Sequence, residues 1–131
     1  QKCGSEQLCA SLVPTHPLAK KSSVSFHDLN GENFLMASEV GMWDSIVRAN
    51  MPDSRFLLQG STDELWEVAS SSTMSGFSTD LTLRVLGGKY NRINIPFSDD
   101  VSYTDYYCTC RASKRSEYKR WFDTLKRRVN D

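Results

Sequence analysis

The chain has 131 residues, 39% of them apolar and 24% charged, and its sixteen basic and sixteen acidic side chains cancel to a net charge of zero. That length supports the core of one compact domain and is too short for two. A balanced charge gives no electrostatic reason to expect nucleic acid or a membrane surface as partner, and no apolar run approaches the roughly 18 residues of a spanning helix.

Leu8 to Val13 alternates as a strand that Pro14 ends, because proline has no amide to donate to a ladder. His16-Pro17-Leu18-Ala19 then reads as a turn before a basic, polar link. Residues 33–37 (NFLMA) are continuously apolar, the pattern of a strand covered on both faces. Gly41 to Asn50 carries Trp43, Ile46, Val47 and Ala49 at helical spacing, and Pro52 prevents the helix from continuing. Arg55 to Gln59 is a short buried strand; Gly60 turns the chain, and Ser61-Thr62-Asp63-Glu64 forms a capping box for a helix running to Ala69. Ser71 to Phe77 is weakly strand-like. Ser78 or Thr79 caps a helix through Leu86, which Gly87-Gly88 stops.

Arg92 to Phe97 alternates with Ile93, Ile95 and Phe97 on one face, and Ser98-Asp99-Asp100 is a turn. Thr104 to Ala112 is the strongest strand by propensity. Ser116 to Val129 is an amphipathic helix with Tyr118, Trp121, Phe122, Leu125 and Val129 on its apolar stripe. Strands alternating with helices in this way predict an α/β fold, with helices on both faces of a sheet. The first and last strands bracket a complete small unit. We therefore expect a lobe entered and left through a two-strand hinge, with Leu8–Val13 lying beside Thr104–Ala112.

Cys3, Cys9, Cys108 and Cys110 show no regular disulfide spacing, so free thiols in an intracellular, cytoplasmic protein are expected. Cys108 and Cys110 share one face of a strand, with Cys9 expected nearby, yet no His is spaced to complete a metal site. No nucleophile elbow, phosphate loop or HExxH motif is present, so neither catalytic residues nor a cofactor is expected, and the chain does not read as an enzyme. From Arg111 to Arg128 there are eight basic and two acidic side chains. That tail reads as the solvated face of a helix.

Residues Leu12 to Leu35, "LVPTHPLAKKSSVSFHDLNGENFL", resemble the segment that leaves the first lobe of the effector-binding domain in LysR-type transcriptional regulators. In that family a strand ends in a proline, His-Pro-Leu-Ala follows, and a pattern matched here by Val24, Phe26, Asp28, Leu29, Gly31, Glu32 and Phe34 leads into the second lobe. Arg55-Phe56, Glu64-Leu65, "INIPFSDD", an aromatic strand and an amphipathic terminal helix follow in the family's order. One departure is residues 69–78, where a small, glycine-rich segment of the family is replaced by a more polar one with a single glycine.

The resemblance implies a three-layer α/β/α lobe of a domain like the type 2 periplasmic binding proteins. On this reading residues 1–19 are a hinge strand and crossover, 20–97 the second lobe, and 98–131 the return strand and terminal helix of the first lobe. Opening on Gln1, the chain is expected to be a piece of a longer protein, most of whose first lobe lies outside it. The implied function is small-molecule effector sensing in an inter-lobe cleft that controls transcription. DNA would be contacted only through an N-terminal winged helix-turn-helix absent from this chain, and no membrane is involved. The alternative reading is a solute-binding protein that serves a transporter.

In such a fold the ligand faces helix N-termini, whose free amides and partial positive charge suit a carboxylate. The candidate contacts are Ser38, Glu39 and Trp43 in one turn, Ser61 and Thr62 in a second, and Gly76 and Thr79 along a third wall. Ser61 and Thr79 also have capping duties, and Trp43 also reads as core. With most of a lobe missing, the stripe at Trp121, Phe122 and Leu125 would be left facing water, which predicts a homo-oligomer.

Overall fold

The computed structural model describes residues 1–86 and 90–130, with Leu86 and Asn130 described by backbone alone. The elements run β1 (Lys2–Leu12), α1 (Phe26–Leu29), β2 (Asn33–Ala37), α2 (Met42–Asn50), β3 (Arg55–Gln59), α3 (Thr62–Ser71), β4 (Gly76–Thr79), α4 (Asp80–Leu86), β5 (Ile93–Pro96), β6 (Tyr103–Tyr107) and α5 (Lys119–Asn130). The chain divides into two compact units: Gln1–Glu6 with Tyr103–Asp131, and Gln7–Ser102.

In the larger unit, β1 lies between β4 and β5 and runs antiparallel to both, with Leu8 opposite Thr79 and Leu12 opposite Ile93. β2 and β3 pair in parallel, Asn33 with Arg55 through Ala37 with Gln59. A parallel bridge from Phe34 to Ser75 joins β2 to β4. The strand sequence across the unit is therefore β3, β2, β4, β1, β5, and β1 alone runs against the rest.

Alternation along each strand divides the side chains between two faces. One face carries Leu8, Ala10, Leu12, Phe34, Met36, Ile95 and Phe97, closed by Val24, Phe26 and Leu29 and by Trp43 and Val47 of α2. Its aromatic rings stack: Phe26 on Phe97 at 4.3 Å and Phe34 on Phe77 at 4.8 Å between centroids. The opposite face is smaller and more polar. It buries Cys9, Ser11, Leu35 and Ser78, and α3 packs over β2 and β3. The result is the three-layer α/β/α arrangement that the alternating pattern predicts.

Arg92 ties α3 to that second face. Its guanidinium donates to the carbonyls of Ser11 and Met74 through one terminal nitrogen, and to those of Ala69 and Ser72 through the other, all within 3.1 Å. Ala69 and Ser72 sit at the C-terminal end of α3, where carbonyls lack helical partners and a cation is favoured.

The turn at His16 is pinned by chemistry as well as by proline. The Leu18 amide donates to His16 Nδ1 at 3.0 Å, so the other ring nitrogen carries the proton and donates to the Glu32 carboxylate at 2.9 Å. The buried Ser75 hydroxyl donates to the same carboxylate at 3.1 Å. Glu32 thus gathers the turn, the entrance of β2 and the entrance of β4. Gly31, at φ +96°, makes the turn just before it, in a conformation that favours glycine.

Several elements differ from their sequence-based expectations. β1 begins at Lys2 rather than Leu8, since residues 2–7, polar as they are, have a partner in β6. α1 was not expected; Ser25 caps it, accepting from the Asp28 amide while Asp28 accepts from the Ser25 amide. The stretch from Ser71 divides between the end of α3 and β4. β6 stops at Tyr107, five residues short of Ala112, and α5 starts at Lys119 rather than Ser116. The expected helix stop at Gly87-Gly88 lies outside the described residues.

The hinge pairing also needs correction. β6 does pair with β1, but beside its first residues: Gln1 and Cys108 exchange both backbone hydrogen bonds, at 3.1 and 2.8 Å, the pattern of an antiparallel pair. Lys2 meets Asp105 at 2.6 Å and holds that carboxyl below the usual range, and Tyr106 donates to Glu6. Leu8 to Leu12 are instead saturated by β4 and β5.

The Glu32 junction yields a test. His16→Ala and Glu32→Ala should each destabilise the fold by about 1–3 kcal/mol, because each leaves a partly buried polar partner unsatisfied. The double variant should lose clearly less than the sum of the two, a coupling that denaturant unfolding of all four proteins measures.

Candidate functional site

Because β2, β3 and β4 run in parallel, their C-terminal ends arrive at one edge of the larger unit. Ser38 follows β2, and its amide donates to the Gln59 carbonyl at the end of β3. Gly60-Ser61-Thr62 follows β3. The bridge from Phe34 to Ser75, carried forward four residues, brings Thr79 level with Ser38. Each strand then feeds a helix, so the N-termini of α2, α3 and α4 open on the same edge. This is where ligands sit in open α/β sheets, outside the carboxyl ends of the strands.

Of the candidate residues, Ser38, Glu39, Ser61 and Thr62 are exposed at this edge, and Thr79 is buried there. Ser61 accepts from the Glu64 amide at 3.2 Å, so its hydroxyl oxygen caps α3. Thr79 accepts from the Thr82 amide at 3.2 Å and caps α4. Both hydroxyls already have structural work, while the backbone amides around them remain at the helix starts.

Two candidates are misplaced. Trp43 is 7% exposed and belongs to the apolar core under the sheet, because its position in α2 faces the strands with Val47. Gly76 opens β4 opposite Ser11, at the other end of the strand from Thr79, so it lies away from the edge. A Cβ there would sit 3.5 Å from the Leu35 carbonyl oxygen, an ordinary contact distance, so packing at this point does not demand a glycine.

Gln7 and Asp80 are edge residues that sequence reasoning missed. The Gln7 amide donates to the Asp80 carboxylate at 3.0 Å. Its side-chain nitrogen reaches the carbonyls of Phe97 and Ser102 and the Ser102 hydroxyl. One glutamine side chain therefore fixes the end of β5 and the following turn against β1. No local motif signals it, since its partners are more than seventy residues away in sequence. With Glu39, Asp63 and Glu64, Asp80 makes the described side chains of this edge acidic.

The cysteines are distributed otherwise than expected. Cys9 is buried on β1 in the larger unit, where desolvation and the Asp80 carboxylate raise its thiol pKa to about 11. Cys108 and Cys110 lie beyond the end of β6. Cys108 lies on the same face of the strand pair as Cys3, whose thiol pKa it raises. Among the described residues no cluster of three or more His, Cys, Asp or Glu side chains could hold a metal ion.

No family model matches the sequence, and no curated protein matches it. The fold has solved counterparts. The regulatory domain of NMB2055 (MetR), a LysR family regulator from N. meningitidis, matches at TM-score 0.69 and 15% identity, over 95% of this chain and 60% of that one. The oxidized form of OxyR matches at TM-score 0.70 and 16% identity, over 99% of this chain and 65% of that one. The effector binding domain of QuiR in complex with shikimate matches at TM-score 0.60 and 14% identity, over 88% of this chain and 60% of that one. The chain thus has the periplasmic-binding-protein-like fold of LysR-type regulatory domains, and it spans less than two thirds of the length of each of these three. Among the described residues no helix is long and apolar enough to cross a membrane.

Cys9 offers a direct check on the burial of β1. At pH 8 its thiol should resist alkylation in the folded chain and react on unfolding, whereas the exposed Cys110 should react at once. Peptide mapping of the alkylated protein with and without denaturant measures the difference.

Proposed function

We propose that the chain is the effector-sensing part of a LysR-type transcriptional regulator, binding a small molecule along the edge formed by Ser38, Glu39, Ser61, Thr62 and Thr79. One observation carries the reading: three parallel strands end together there, with three helix N-termini behind them, in the fold of regulatory domains one of which was solved with shikimate. A carboxylate suits the helix amides. The carboxylates of Glu39, Asp63, Glu64 and Asp80 flank the same edge, so a ligand that adds hydroxyl donors or an ammonium to its carboxylate fits both features. DNA contact belongs to a winged helix-turn-helix outside this chain, which places the protein in the cytoplasm. The exposed stripe of α5, with Trp121 71% exposed, supports assembly into a homo-oligomer. Binding controls transcription only so far as the ligand distinguishes two arrangements of the parent protein.

A thermal-shift screen of shikimate, aromatic acids and amino acids tests the site. A ligand at a hundred times its Kd should add about 2.7 kcal/mol of apparent stability. Ser38→Glu and Thr62→Glu, both at exposed positions, should leave the unliganded melting temperature nearly unchanged and abolish the shift. A flat response across the screen, or a shift untouched by both substitutions, contradicts the proposal.

A further inference from the structure

In the smaller unit, Cys3 and Cys108 form an unbridged pair on neighbouring strands. Gln1 and Cys108 exchange their backbone hydrogen bonds, so Cys108 faces the same side as Gln1 and, two residues on, Cys3. Both side chains are partly accessible to solvent, and the neighbouring Cys108 thiol raises the pKa of Cys3. Cys108 also lines an open groove of about 1030 Å³ that carries Arg115, Lys119 and Lys126. Asp123 pairs with Lys119 at 3.0 Å, which leaves the groove with a net excess of cations.

We infer that Cys3 and Cys108 are a modification site, oxidised to an intramolecular disulfide by a small anionic disulfide of the oxidised-glutathione type that enters through the basic groove. The thiolate of Cys108 attacks one sulfur of the reagent, its S–S bond breaks, and one reagent thiolate leaves and takes up a proton. The resulting mixed disulfide faces Cys3, which releases its proton and attacks the Cys108 sulfur, expelling the second reagent thiolate. Two protein thiols are oxidised while one disulfide is reduced to two thiols. The order of attack follows from access: Cys108 lines the basic groove through which the reagent enters, whereas Cys3 lies behind it on the neighbouring strand. The site is independent of the effector edge, and neither depends on the other.

The bond would join residues 3 and 108, closing most of the chain into one loop and restricting the unfolded state strongly. The test incubates the 131-residue chain with oxidised glutathione, quenches by alkylation and maps disulfides by mass spectrometry. The expected product is a Cys3–Cys108 cross-link with a raised melting temperature, retained in C9S and C110S. C3S should stop at a stable mixed disulfide on Cys108. Reaction with oxidised glutathione should exceed that with neutral hydroxyethyl disulfide by roughly tenfold or more at low salt, the two converging as salt rises. A Cys108–Cys110 bond, unconsumed Cys3, or equal rates for the two reagents at low salt would overturn the inference.

Discussion

The structure depends on five residues of β1. β4 pairs with Leu8 to Ser11 and β5 with Cys9 to Leu12, so the middle of the stretch is paired on both edges, and each of the five residues is at most 5% exposed. Because this strand runs against both its neighbours, β4 and β5 share one direction, which the parallel bridge from Phe34 to Ser75 makes that of β2 and β3 as well. All four forward strands then end at one edge, with Gln7 at the start of the enclosed stretch joining that edge through Asp80 and Ser102. The proposed edge follows from the shared direction of β2, β3 and β4.

The residues that give the sequence its family resemblance turn out to be structural. Val24, Phe26, Leu29 and Phe34 fill the core, Asp28 closes the cap of α1, and Glu32 receives His16 and Ser75. Gly31 supplies the turn that aims Glu32. A motif of this kind reports how the chain crosses into the lobe and says little about what the lobe binds. The edge residues, by contrast, are small and polar and act through backbone amides as much as through side chains. Their identity says little about a ligand, and the proposed position rests on the fold.

Much of the fold was legible because periodicity and caps are local. The capping box at Ser61 and the apolar run of β2 both read directly. The failures were non-local or short. Residues 2–7 carry no strand pattern, and their pairing with β6 depends on a segment a hundred residues on. The four-residue helix α1 is too short to show a period, although Ser25 and Asp28 stand at the spacing of a cap. Trp43 could be placed at the site or in the core by sequence alone, and only the angle of α2 against the sheet decides it. Gly76 was assigned to the edge because β4 was expected to end near Phe77. Starting the strand at Gly76 and ending it at Thr79 moves the glycine to the far end.

The claim that β1 organises the larger unit is tested most directly by native-state hydrogen exchange. Amides in a strand enclosed on both edges exchange only when the whole unit opens, while exposed elements exchange through local fraying. The paired amides of β1 between Leu8 and Leu12 should be the slowest in residues 7–102. Their opening free energy should equal that of global unfolding, and the amides of β3 and the first turns of α3 should exchange faster. Exchange of the β1 amides at the rate of β3, or well below the global free energy, would contradict it.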